Sequence, residues 1–210
     1  MSEILRLGMA GLGVASTQIM PPIAKLPFIK ITAAADMRAD AVAKFREQYK
    51  GEGYTSVEEL CASPNVDAVY IATPNSLHAE HAIIAAKHKK HIIVEKPMAM
   101  NLAECDAMNE AADKHGVKLL CGHTHSFDPP IRKIREIVKS GELGKLCMIN
   151  TWNYNEFMYR PRMKHELAMT RGVVLNQGPH HVDVVRLIGG GMVRSVRAMT
   201  GIWDQVREWE

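Results

Sequence analysis

No apolar run in this chain reaches membrane-spanning length, because charges break the longest stretches, and a crossing helix is therefore not expected. The first residues, Met1-Ser-Glu-Ile-Leu-Arg6, lack the pattern of a secretory leader, so a cytoplasmic chain is expected. Cysteine is scarce. Cys61, Cys105, Cys121 and Cys147 are far apart with no C-x-x-C, which points to reduced, structural thiols rather than a disulfide framework. Charge of one sign is also lacking: the formal net charge is +3 and aromatics make up 6% of the residues. With no basic run interleaved with aromatics, nucleic acid is not an expected partner. Repeats and low-complexity tracts are absent too. What remains is 210 residues, 47% hydrophobic and 23% charged, enough to bury a core in one large or two small domains.

The order of apolar segments carries the fold. Leu5 to Ala10, Ile31 to Ala35, Ala68 to Ala72, Ile92 to Val94 and Val117 to Cys121 are strand-like, with helical patterns between most of them. Ala39 to Tyr49 places Val42 and Phe45 on one helical face. Ser56-Val-Glu-Glu59 is a capping box, and Asn101-Leu-Ala-Glu104 opens a longer helix that ends at Gly116. Pro21-Pro22 interrupts the first helical segment, which is expected to be kinked or split. Alternating strands and helices imply an α/β class, a doubly wound parallel Rossmann sheet with right-handed crossovers. Beyond Cys121 the texture changes: an amphipathic helix runs from Ile131 to Ser140 after Pro129-Pro130, and strands are expected at Leu146 to Tyr154 and Val193 to Ala198. The expected division is residues 1–124 for a dinucleotide-binding domain and 125–210 for a partial α+β substrate domain with a mainly antiparallel open sheet.

Gly8-Met-Ala-Gly11-Leu-Gly13 follows the first strand, and Val14 begins the next helix. Glycines there let backbone N–H groups approach a phosphate, because no Cβ stands in the way. The third small position of the fingerprint falls on Ser16, bulkier than Gly or Ala. Asp36 closes the second apolar run 23 positions after Gly13, near the offset of about twenty at which a carboxylate meets an adenosine ribose. Asp36 also suits a helix N-cap, and the two roles are compatible. Arg38 can receive the 2′-phosphate of NADP, but the neighbouring carboxylate opposes that, so NAD is expected with NADP possible. Thr73-Pro74-Asn75 and Glu95-Lys96 end later strands, so with Gly11 and Asp36 they gather at the carboxyl edge of the sheet, where ligands of such folds bind. Read alone, Lys96 is a strand-end lysine pairing with Glu95.

Gly8-x-x-Gly11-x-Gly13, Ala72-Thr-Pro-Asn75-x-x-His78, Glu95-Lys-Pro97 and Gly178-Pro-His180-x-x-Asp183, in that order, resemble the glucose-fructose oxidoreductase and inositol dehydrogenase family. Gly122-His-Thr-His-Ser-Phe-Asp-Pro129, Tyr159-Arg-Pro-Arg162 and Asn176-Gln-Gly-Pro-His180 resemble its phthalate dihydrodiol dehydrogenase branch. The resemblance implies oxidation of a secondary alcohol with hydride passing to nicotinamide, the substrate being a cis-dihydrodiol of an aromatic dicarboxylate. A sugar or inositol-type polyol is the alternative substrate, and a non-catalytic NAD-binding fragment or sensor the alternative of another class. Lys96 is implied to lie beside the nicotinamide and the reacting hydroxyl. Burial next to a positive ring would lower its pKa and make it a usable base.

His180 is implied to exchange the proton; its plainer reading is the first residue of a helix over Val182 to Ile188. Asn176 stands where the family has an acidic residue, able to orient a histidine but not to hold a charge against it. Val14, Thr73, Pro74, Asn75, His78, Glu95 and His125 join Gly11, Gly13, Asp36 and Arg38 as expected cofactor contacts, and Asp183 is expected to be structural. Arg160, Arg162 and Arg171 either lie on a solvated loop or fork onto substrate carboxylates. Alternation along a strand would put His123 and His125 on one face, but with His180-His181 they form a weak ligand pattern, and no metal is expected. Relatives are implied to continue past Glu210, which makes this a shortened or fragmentary chain. Homo-oligomers through the second-domain sheet are implied as well.

Overall fold

β1 (Leu5–Ala10) is the centre around which the other strands assemble. β2 (Ile29–Ala35), β3 (Glu52–Tyr54), β4 (Ala68–Ile71), β5 (His91–Val94) and β6 (Leu119–Cys121) complete a sheet of order β3-β2-β1-β4-β5-β6 in which every pairing is parallel. The strand order reverses between β1 and β4, the switch point at which such sheets open a crevice at their carboxyl ends. Arg6 and Asp67 fix that junction. The Arg6 guanidinium forks onto the Asp67 carboxylate, and the Arg6 N–H donates to the same group at 2.8 Å. This structure is a computed structural model that describes residues 4–152 and 172–199, with 172–176 described by backbone alone.

Both faces of the sheet are covered, and the strands show why. Along β1 and β4, Leu7, Met9, Ala68 and Tyr70 point to one face, where they pack with Met20, Val42 and Phe45. Those residues come from α1 (Val14–Ile23) and α2 (Ala39–Tyr49). Ala10, Val69 and Ile71 point to the other, against α3 (Val57–Ala62), α4 (His78–Lys87) and α5 (Leu102–His115). Small residues at Ala33, Ala34 and Ala35 let the helices lie close over β2, all three being buried.

Local signals set the helix ends. The Ser56 side chain accepts from the Glu59 N–H while the Glu59 carboxylate accepts from the Ser56 N–H, completing the capping box of α3. Asn101 caps α5 by accepting from the Glu104 N–H at 2.9 Å, and Gly116 ends it in the left-handed region at φ 67°. The expected split of the first helix does not occur: α1 runs through Pro21 and Pro22 to Ile23. The prolines fall in its last turn, exposed, so the carbonyls they leave unbonded stand near solvent. β3 has no counterpart in the apolar pattern, since Glu52-Gly-Tyr54 is a three-residue edge strand.

The chain divides into two compact units, Met1–Gly122 and His123–Glu210. In the second, a turn at His125–Phe127 leads into α6 (Pro129–Ser140), which Gly141 ends at φ 74°. α7 spans Gly172–Gly189 with Pro179 inside it, so His180 lies within the helix and not at its start, a correction to the expected boundary. Gly178-Pro179 reads as a helix breaker, yet α7 continues through it without the bond that a Pro179 N–H would make. The strands expected over Leu146 to Tyr154 and Val193 to Ala198 are not part of a sheet among the described residues. Extended backbone becomes a strand only when a partner supplies the ladder. Among the described residues no helix is long and apolar enough to cross a membrane.

Removing one cap tests this account of the helix ends. Asn101→Ala should cost about 1 kcal/mol of stability in urea denaturation; an unchanged midpoint would mean the Glu104 N–H finds another acceptor.

Candidate active site

Gly11 makes the turn that ends β1. Its φ is +87°, and a Cβ there would stand 2.7 Å from the Ala72 carbonyl oxygen, so only glycine passes beneath the end of β4. Its N–H donates to the Ala35 carbonyl at 2.8 Å. Ser16, the residue that looked too large for the fingerprint, is fully buried and donates its hydroxyl to the Gly11 carbonyl. The hydroxyl thus satisfies a buried acceptor at the turn, which accounts for serine where a smaller residue was expected. At Gly13 an added Cβ would meet nothing within 4 Å, leaving open space at the first turn of α1, and Val14 beside it is exposed.

Asp36 sits just past β2 with both oxygens engaged. Oδ2 accepts from the Leu12 N–H at 2.8 Å and Arg38 Nη2 at 3.0 Å, and Oδ1 accepts from the Arg38 N–H at 2.9 Å and Nε at 3.0 Å. Burial works to raise the Asp36 pKa, but the Arg38 and Leu12 donors outweigh it and hold the carboxyl below its usual value. Arg38 also donates to the Leu12 carbonyl at 3.0 Å, so the guanidinium bridges the glycine turn and the acid. The N-cap alternative for Asp36 does not hold, because the cap position of α2 falls on Arg38, without a side-chain bond.

The turns after β4 and β5 come next. The Thr73 hydroxyl is 2.9 Å from His81 Nδ1. Pro74 precedes a short turn of helix, Asn75–Leu77, that feeds into α4. Glu95 takes its N–H to the Ile71 carbonyl at 2.9 Å. Its carboxylate accepts from the Tyr70 hydroxyl on one oxygen and from the Lys96 N–H, at 3.1 Å, on the other. Burial, then the bond to Glu95, push the Tyr70 phenol above its ordinary value, so it remains a donor. Burial also lowers the pKa of the half-buried Lys96, with the Glu95 charge opposing. His78 is buried beneath these turns and presents no surface to a ligand, so the structure does not give it the direct cofactor contact expected of it.

In the second unit, His125 and His180 meet. Their rings stack with centroids 4.1 Å apart and planes 21° from parallel, and His180 is buried. The strand alternation expected at His123 and His125 is absent, because β6 ends at Cys121 and His125 opens a tight helical turn. Among the described residues no three His, Cys, Asp or Glu side chains form a metal-holding group. Positions 176 and 180 are one turn apart on α7. Arg160, Arg162 and Arg171 lie outside the described residues, as does the side chain of Asn176.

Sequence reasoning passed over Tyr70 and His81. Tyr70 lies inside an apolar run, where the available signal was that a buried tyrosine hydroxyl nearly always has a partner. His81 stands one turn after the motif histidine and carried no separate mark.

A glycine turn at the switch point, open space at Gly13 and a carboxylate at the end of β2 define a dinucleotide-binding unit, and these residues fit an adenosine dinucleotide. The comparisons agree. Residues 5–123 match the model of an oxidoreductase family with an NAD-binding Rossmann fold, and residues 131–208 match the GFO/IDH/MocA C-terminal domain. The chain belongs to the GFO/IDH/MocA oxidoreductase family. It is 39% identical over 98% of its length to the 1-carboxy-3-chloro-3,4-dihydroxycyclo hexa-1,5-diene dehydrogenase of Comamonas testosteroni, covering 53% of that protein. It is 31% identical to the myo-inositol 2-dehydrogenase of Thermotoga maritima, over 92% of this chain and 58% of the relative. Among solved structures, the putative dehydrogenase from Bordetella bronchiseptica RB50 superposes with a TM-score of 0.90 at 38% identity, over 97% of this chain and 54% of that one. The chain thus spans about half the length of the relatives it matches.

The Asp36–Arg38 fork suggests how the two cofactors are told apart. Arg38→Ala should raise the ratio of Kd for NADP to Kd for NAD by about tenfold, since the guanidinium beside Asp36 able to offset a 2′-phosphate would be lost and a carboxylate left bare. Fluorescence titration with each cofactor measures it, and an unchanged ratio would exclude Arg38 from the discrimination.

Proposed function

We propose that the protein is an NAD-dependent dehydrogenase, NADP being possible, that oxidises a secondary alcohol of a ring-carboxylated cis-dihydrodiol, phthalate 4,5-cis-dihydrodiol being the foremost candidate. The observation that carries this reading is the half-buried Lys96 with its lowered pKa, held on a turn at the same sheet edge as Gly11, Asp36 and Thr73. The similarity to a dehydrogenase of a carboxylated, dihydroxylated cyclohexadiene supports the substrate class. The nicotinamide cofactor, when bound, supplies the hydride acceptor.

In this reading the chain has three tasks. The glycine turn and the N-terminus of α1 bind the pyrophosphate through backbone N–H groups, and Asp36 orients the adenosine ribose. Lys96, as the neutral amine, takes the hydroxyl proton; its lowered pKa enlarges the neutral fraction near working pH. His180 exchanges that proton onward, its ring braced by His125, with Asn176 one turn earlier on α7. Arg160, Arg162 and Arg171 bind the substrate carboxylates. By the family resemblance the protein self-associates through its second unit.

A second reading, oxidation of an inositol-type polyol, is favoured by the likeness to myo-inositol 2-dehydrogenase. NADH formation with phthalate cis-4,5-dihydrodiol, beside myo-inositol, decides between them. Turnover should occur with the dihydrodiol, and Lys96→Ala should lower kcat by about a hundredfold or more, as loss of a general base does. Turnover of inositol alone would move the protein to the second reading, and silence with both despite NAD binding would make it a binding protein.

The carboxylate reading has its own test. Arg160→Ala should raise KM for the dicarboxylate about tenfold while leaving KM for a neutral diol within about twofold. Equal effects on both substrates would place Arg160 away from the carboxylates.

A further inference from the structure

His78 opens α4 with 1% of its surface exposed, so no ligand can reach it. Its Nδ1 lies 2.9 Å from the Pro97 carbonyl oxygen, and its Nε2 lies 2.9 Å from the Thr73 carbonyl oxygen. Those carbonyls belong to two separate turns: Thr73 follows β4, and Pro97 directly follows Lys96 after β5. One ring therefore spans the gap between the two turns. One helical turn further along α4, His81 Nδ1 meets the Thr73 hydroxyl at 2.9 Å, so Thr73 is held through both its carbonyl and its side chain. The Lys96 turn is held from the other side by Glu95, whose carboxylate accepts the Lys96 N–H.

The chemistry of the bridge is demanding. Both neighbours of the ring are acceptors, whereas a neutral imidazole carries one N–H. A neutral ring bonds one turn and faces the other lone pair to lone pair; a protonated ring bonds both. Burial lowers the His78 pKa, while the Pro97 and Thr73 carbonyls and the charge of Glu95 act in the opposite sense. In either state the ring fills the space between two loops that a side chain without ring nitrogens would leave with buried, unbonded carbonyls.

We propose that His78 is a positioning residue that ties the Lys96–Pro97 turn to the Thr73 turn and so sets where the Lys96 amine stands at the sheet edge. The proposal rests on the dehydrogenase reading for its consequence in turnover, but not for the tie itself. It assigns His78 no contact with cofactor or substrate, which separates its expected signature from that of a ligand-binding histidine.

Two variants and two readouts test it. His78→Phe keeps a ring and removes both nitrogens; His78→Asn keeps an amide donor near the place of Nδ1. In dihydrodiol oxidation, His78→Phe should lower kcat about tenfold or more, with Kd for NAD within about twofold, and His78→Asn should recover part of the loss. A weakening of NAD binding that matches the fall in kcat would overturn the proposal in favour of a cofactor role, and unchanged kinetics would overturn it outright.

The second readout needs no turnover. After reductive 13C-methylation, the NMR titration of the Lys96 amine, assigned through Lys96→Arg, should move by about half a pH unit or more in His78→Phe, about a threefold change in its proton affinity. A Lys96 signal that does not move overturns the tie. A signal that moves in a protein that turns over no substrate leaves the tie standing and defeats the dehydrogenase reading instead. Should the phenylalanine variant fail to fold by circular dichroism, the asparagine variant carries the same comparison, with a smaller shift expected.

Discussion

Gly11 has to pass under the carbonyl end of β4 at a distance that leaves no room for a side chain, and much of the first unit follows from that approach. The approach falls where the strand order reverses, on the turn that leads from β1 into α1. Asp36 and Leu12 close one side of the crevice through a direct bond. Thr73 and the Lys96 turn close the other. The site is thus a property of the sheet's edge, and its residues come from four strand ends that lie far apart in the sequence.

The polar groups at that edge are organised in two tiers. Lys96, Gly13 and Val14 are accessible enough to meet a ligand. Below them, Tyr70, His78 and Ser16 are buried, and each donates to or bridges a group in a turn above it. Buried polar side chains need partners, and here the partners are backbone and carboxylate groups of the turns themselves. The lower tier therefore fixes loops that would otherwise be the loosest part of the unit.

Much of this was legible in the sequence. The capping box at Ser56, the cap at Asn101 with Gly116 behind it, and the α2 span from Ala39 to Tyr49 rest on local chemistry that a short window contains. The position of Asp36 rests on a spacing. What escaped depends on distant parts of the chain. β3 carries no apolar run and exists because β2 offers it a ladder, Ala33 to Glu52 through Ala35 to Tyr54. Tyr70 gives no sign that its hydroxyl finds Glu95 just past the next strand of the sheet, and His78 meets the two turns only once β4 and β5 are side by side. In the second unit the strand-like stretches from Leu146 and Val193 promised strands, but composition names a tendency and not a partner.

The uniform direction of the strands has a further cost in time. Among the described residues the first unit contains no hairpin, so each pairing waits for a crossover to be completed. β1 is made first, yet on one side its register, Leu7 against Ala68, needs a strand that emerges only after β2, β3 and three helices. During synthesis the backbone edge of β1 that will pair with β4 stands unpaired, a condition that slows folding and invites association between nascent chains. A late-closing edge on β1 is therefore written into the same strand order that creates the crevice.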